Sequence, residues 1–227
     1  MIHDPLPLLA GRLIASVQAA EGSPVREESV IAALAESALA GGAGGLRLNG
    51  PGDIRRLRPA TALPIIGLHK VHNGIRNVIT PDERLAVGLA EAGADVIAVD
   101  ATAELWGTDF ALLARIAAAT GRPVMADVST FEEGMRAWES GAAVVGTTLS
   151  GYTPHSERSE GPDLRLVAAL AEAGVPTIAE GRYQTPAQVR AAFDAGALAV
   201  VVGGAITDPI ALTRRFVAAI PSTALSS

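Results

Sequence analysis

Short apolar runs alternate with helical segments along the whole chain, and that alternation leaves few folds open to it. Candidate strands lie at 13–18 (LIASVQ), 45–50 (GLRLNG), 64–69 (PIIGLH), 95–100 (DVIAVD), 123–128 (PVMADV), 143–148 (AVVGTT), 176–180 (PTIAE) and 198–203 (LAVVVG). Most are rich in Val and Ile and bounded by Gly or Pro, as buried strands are. Helix-start signals fall between them. Thr80-Pro81-Asp82-Glu83, Thr130 with Glu133, and Thr185-Pro186 with Gln188 read as capping boxes, two of them with proline in the first turn. Helix ends follow at Ala92-Gly93, Ala173-Gly174 and Ala195-Gly196, where glycine takes up the left-handed turn. Eight such units in 227 residues predict an α/β fold, a single (β/α)8 TIM barrel spanning 1–227. The alternative is a doubly wound open sheet. It carries a glycine-rich loop after its first strand, and SVQAAEGS is no such fingerprint.

Composition supports strands buried on both faces. The chain is 49% hydrophobic but only 4% aromatic, so small aliphatic side chains must fill the core. The absence of cysteine excludes disulfides, thiolate metal sites and a cysteine nucleophile. His3, His69, His72 and His155 show no paired spacing, so no metal is expected. A net charge of -6 argues against a nucleic-acid partner. The start, MIHDPLPLLAGRL, does not read as a signal peptide, and no apolar run approaches the ~20 residues of a membrane span. A cytoplasmic protein with no membrane partner is expected, ending in a frayed PSTALSS tail.

The carboxyl ends of the strands carry charge that packing does not require. They present Gln18, Arg47, Lys70, Asp100, Asp127, Thr147 and Thr148, Glu180 with Arg182, and Gly203 with Gly204. In a closed barrel these converge on one mouth, the edge where chemistry takes place in such folds. The pairing of Lys70 with Glu180 suggests proton transfer. Plain structural roles compete: Gln18 as a loop cap, Arg47 in an ion pair, Lys70 snorkelling to solvent, Asp127 as a turn acceptor, Asp100 as a helix cap, or Glu180 and Arg182 paired only with each other. Gly203-Gly204, ahead of a helix start near Asp208-Pro209, fits either a phosphate loop or a tight turn. His69 should face the helices by strand alternation, His72 and His155 the surface, and Trp106 and Trp138 the packed interior.

Together these residues resemble the N-acetylmannosamine-6-phosphate 2-epimerases of sialic acid catabolism. The resemblance runs through LIASVQ, GGAGGLRLNG, LPIIGLHK, ADVIAVDAT, MADVSTFEEG, VVGTTLSGYTPHS, TIAEGRYQTPAQ and VVVGGAIT. It implies a (β/α)8 barrel without metal or organic cofactor. It also implies a catalytic pair at Lys70 and Glu180, and sugar contacts at Gln18, Arg47 and Asp127, with Arg182 a further contact. The phosphate loop would fall at Gly203 and Gly204. The implied substrate is a small amino-sugar phosphate, and the analogy suggests a homodimer. Three departures touch the anion end. Gly204 stands where the family usually has serine, and Asp208 where it has a phosphate-holding arginine. Val71 and AELWGTDF replace basic positions. Phosphate would then rest on backbone groups, or on Arg76, Arg214 or Arg215. The substrate could instead be an unphosphorylated or differently substituted amino sugar. Rivals are another phosphosugar isomerase on the same barrel, or a non-catalytic amino-sugar sensor.

Overall fold

The computed structural model describes residues 4–20, 22–106 and 110–221, so the tail from 222 onward and its expected fraying lie outside the described residues. Eight parallel strands close into a barrel: β1 Leu13–Val17, β2 Gly45–Asn49, β3 Ile65–Leu68, β4 Val96–Asp100, β5 Val124–Asp127, β6 Val144–Gly146, β7 Thr177–Glu180 and β8 Ala199–Val202. Each pairs with its sequence neighbours, and β8 returns to β1 with Leu13 opposite Val200. All eight fall within the segments expected from sequence.

Strand alternation sorts the side chains into two layers. Ile14, Ile66, Leu68, Val96, Ala98, Met125, Val144, Ile178, Ala199 and Val201 pack together inside the barrel. Their neighbours Ala15, Val17, Leu46, Leu48, Ile65, Ile97, Val99, Val124, Ala126 and Val145 pack outward with Ile31, Ile54, Leu89, Ile116 and Leu170 of the helical layer. The inner layer is therefore a filled core, and only its upper end is free for a site.

The helix starts at Thr130 and Thr185 are complete capping boxes, each side chain bonded to the third helical N–H and answered by Glu133 or Gln188. The third expected box is corrected. The helix Glu83–Glu91 begins after Asp82, whose side chain accepts from Leu85 N–H. Thr80 stands outside the helix at φ 47°. Gly93, Gly174 and Gly196 do hold the positive φ expected after helix ends. Trp106 packs against the core, but Trp138 is 37% exposed, because it lies on the solvent side of the helix Phe131–Glu139. One element was not foreseen: after β3 the chain forms an antiparallel hairpin, Lys70–His72 against Asn77–Ile79.

Candidate active site

The inward rows of four strands turn polar towards their carboxyl ends. On β2 the row reaches Arg47, on β4 Asp100, on β5 Asp127 and on β7 Glu180. Arg47 is 1% exposed and holds two carboxyls at once. Its Nη2 donates to Asp127 Oδ2 at 2.7 Å, its Nη1 to Asp127 Oδ1 at 3.2 Å, and Nη1 lies 3.1 Å from Glu180 Oε2. Thr148 bridges the same carboxyls, donating to Asp127 Oδ1 and lying 3.3 Å from Glu180 Oε2. The backbone of Glu180 is fixed by Thr147, whose hydroxyl donates to Glu180 C=O (2.9 Å) and accepts its N–H (3.0 Å). Gly146 makes room for the cluster. A Cβ there would meet Met125 Cε at 2.3 Å, Asp127 Oδ1 at 2.9 Å and Thr148 Oγ1 at 3.1 Å.

A cavity of about 510 Å³ opens above this cluster, lined by Ser16, Lys70, Thr148, Glu180, Arg182, Gly203 and Gly204 among others. Lys70 stands at its rim, accessible to solvent, and its amine makes no hydrogen bond or ion pair among the described residues. Crowding by protein atoms lowers the Lys70 pKa, and Arg47 lowers it further; Glu180 and Asp127 pull the other way without prevailing. Burial raises the pKa of Glu180, and Asp127 adds to the rise against the opposing effects of Arg47, Lys70 and Thr148. Asp127 is raised for the same first reason, with Arg47 and Thr148 opposing. For Arg47, burial works against its charge, yet Asp127 and Glu180 outweigh it and keep the guanidinium protonated. The mouth thus holds an amine biased towards neutrality and a carboxyl biased towards protonation, facing one cavity.

The remaining residues singled out in the sequence are placed unevenly. Gln18 donates to Ser16 Oγ at 2.9 Å, while its Oε1 and Arg47 Nε are buried without hydrogen-bond partners among the described residues. Arg182, at φ 59°, ties down the loop after β6: its Nε donates to Gly161 C=O at 2.8 Å, its Nη1 to Ser150 C=O, and it lies 5.3 Å over the Tyr152 ring. It pairs with no carboxylate among the described residues. Asp100 does accept from Thr102 N–H, as a cap would, and it is also paired at 2.6 Å with Arg76 from the hairpin. Asp208 caps the helix Pro209–Val217, accepting from Ala211 N–H at 2.9 Å. Arg214 is exposed, and Arg215 bonds Gln184 Oε1 at the cavity's edge. His72 and His155 are exposed. Among the described residues no three His, Cys, Asp or Glu side chains gather as a metal site.

One contributor has no role in the sequence reading: Thr148, although its parity matches the inward row. Arg76, weighed from sequence as a substitute phosphate contact, does reach the cavity lining, because the hairpin folds back, but there it is paired with Asp100.

The site can be compared with known proteins. Residues 31–222 match the NanE family model, described as "Putative N-acetylmannosamine-6-phosphate epimerase". A 2-epimerase of that description from Caldanaerobacter subterraneus is 43% identical over 223 residues, covering 96% of this chain and 94% of the relative. One from Yersinia pseudotuberculosis is 48% identical over 200 residues, covering 88% and 85%. The solved N-acetylmannosamine-6-phosphate 2-epimerase of Clostridium perfringens superposes with a TM-score of 0.89 at 38% identity, covering 96% of this chain and 97% of that one. A 3-hexulose-6-phosphate synthase, TM-score 0.62 at 21% identity, shares the barrel alone. The family match and these identities, over almost the whole length, show that this chain belongs to the N-acetylmannosamine-6-phosphate 2-epimerase family, carbohydrate epimerases on a (β/α)8 barrel.

Proposed function

We propose that the chain, as one barrel domain, interconverts N-acetylmannosamine 6-phosphate and N-acetylglucosamine 6-phosphate by proton exchange at carbon 2. One observation carries the reading: the unpartnered Lys70 amine and the Glu180 carboxyl line the same cavity, with pKa values pushed from opposite sides towards neutrality. Carbon 2 becomes acidic only beside a carbonyl, so the sugar ring opens to the aldehyde first. In one direction neutral Lys70 takes the carbon-2 proton and becomes an ammonium. The electron pair moves into an enolate, and protonated Glu180 returns a proton to the opposite face. The reverse reaction exchanges these roles. Arg47 and the protonated lysine offset the enolate charge. Gln18, Arg47 and Asp127 hold the sugar, with Arg182 at the mouth and no cofactor required.

The phosphate is assigned to the backbone of Gly203 and Gly204, which line the cavity. The Asp208 carboxylate is engaged with its own helix, which weakens the case that it repels the anion. A second reading, an unphosphorylated N-acyl amino sugar, keeps support from the missing family arginine at that position. Parallel epimerisation assays on N-acetylmannosamine 6-phosphate and N-acetylmannosamine decide between them. The proposal expects kcat/KM on the phosphate to exceed that on the free sugar at least about tenfold. Equal or reversed preference overturns the phosphate assignment, and no turnover of either favours a sensor. Sialic acid breakdown, a cytoplasmic setting and a homodimer are proposed on family grounds. Among the described residues no helix is long and apolar enough to cross a membrane.

A further inference from the structure

We infer that Thr80 is a positioning residue for Lys70, an inference that rests on the proton-transfer role proposed above. The Lys70 amine has no bonding partner among the described residues, so its place is set by its backbone. That backbone is held from two sides. Lys70 N–H donates to Asn49 Oδ1 of β2 at 2.9 Å, and Lys70 pairs with Ile79 across the hairpin. One residue earlier, Thr80 takes both backbone groups of His69: its Oγ1 accepts His69 N–H at 3.0 Å, and its N–H donates to His69 C=O at 2.8 Å. The link between β3 and Lys70 is therefore closed by a single residue, Thr80, where the chain leaves the base of the hairpin.

The backbone of Thr80 shows that the side chain matters. It is fully buried at φ 47°, a region where a β-branched residue is strained and glycine is at ease. A turn alone would be better served by glycine. What glycine lacks is the hydroxyl that captures His69 N–H, and that bond fixes the start of the hairpin. The turn at the hairpin's tip is anchored independently, Arg76 bonding Asp100 at 2.6 Å and both Thr102 and Glu104 at 2.9 Å. With both ends of the hairpin tied, Lys70 at its base has little freedom to leave the cavity rim.

The test compares Thr80→Val, Thr80→Gly and Thr80→Ser with Lys70→Ala in epimerisation assays. Val and Gly remove the hydroxyl, and a small displacement of a reacting group is costly, so kcat should fall at least about tenfold with KM little changed. The inflection of the pH–rate profile that titrates Lys70 should move up towards an ordinary lysine as the amine leaves its crowded position. Thr80→Ser keeps the hydroxyl and should restore kcat to within about twofold of the parent. Parent-like kcat in both Val and Gly, beside an inactive Lys70→Ala, overturns the positioning role alone. An active Lys70→Ala overturns the proton-transfer reading beneath it. If the Val and Gly variants fail to fold, amide hydrogen exchange on the parent protein still decides. The His69 amide should exchange as slowly as the barrel strands, and exchange as fast as the hairpin tip would refute the closure.

Discussion

Arg47 meets two carboxyls with one positive charge, and the protonation of the site follows from that imbalance. Asp127 is fully buried and bidentate with Arg47, while Glu180 shares one Nη1 and keeps some access to the cavity. Lys70→Ala should therefore lower kcat/KM by about 10²–10⁴-fold, the range for loss of a general base, with the fold intact by circular dichroism. Gly146→Ala should lower kcat/KM at least about tenfold, because the added methyl would crowd Asp127 and Thr148; parent-like kinetics would show that the cluster can yield. Stability should report the raised Glu180 pKa. The folded protein keeps a proton that the unfolded chain gives up, so this carboxyl's contribution is present at low pH. It is lost as pH rises from the ordinary carboxylate range through the folded value. Glu180→Gln should thus gain stability relative to the parent as pH rises above the ordinary carboxylate range of about 4, measured by urea unfolding. A difference independent of pH would contradict the shift. Lys70, Glu180, Arg47 and Asp127 were legible in the sequence because each is a charged residue on the inward parity in or just after an apolar strand. The way Arg47 is divided between two acids was not legible, since it depends on distances across the barrel.

At the scale of elements, local chemistry was readable wherever one register dominated. The boxes at Thr130 and Thr185 each offer a single capping residue, and both form. Thr80-Pro81-Asp82-Glu83 offers two candidates two residues apart. Asp82 wins the cap while Thr80 is taken by His69. The hairpin escaped because its two arms are three residues each and mostly exposed, so they carry no apolar run to read. Thr130→Ala should cost about 1 kcal/mol, lowering Tm by roughly 2–4 °C in a chain of this size. Glu133→Ala should cost more. The buried Glu133 accepts from the backbone N–H of Ser129, Thr130 and Ala103, so its loss strands three donors at about 1–3 kcal/mol each before relaxation. A Glu133→Ala change no larger than that of Thr130→Ala would show that water replaces those bonds.

For the whole molecule, eight strands closing in sequence order bring residues from Gln18 to Gly204 to one mouth, and closure is what makes them a site. The strand count and spacing made the barrel legible. The placement of the anion end was less so, because the role of Asp208 depends on which backbone N–H its carboxylate faces. The central claim is carbon-2 proton exchange between Lys70 and Glu180. Proton NMR of N-acetylmannosamine 6-phosphate in D₂O, with the parent protein, Lys70→Ala and Glu180→Gln side by side, tests it most directly. The account predicts epimerisation with deuterium entering at carbon 2 for the parent, and loss of epimerisation in both variants. Epimerisation by the parent without deuterium at carbon 2, or undiminished turnover in either variant, would contradict it.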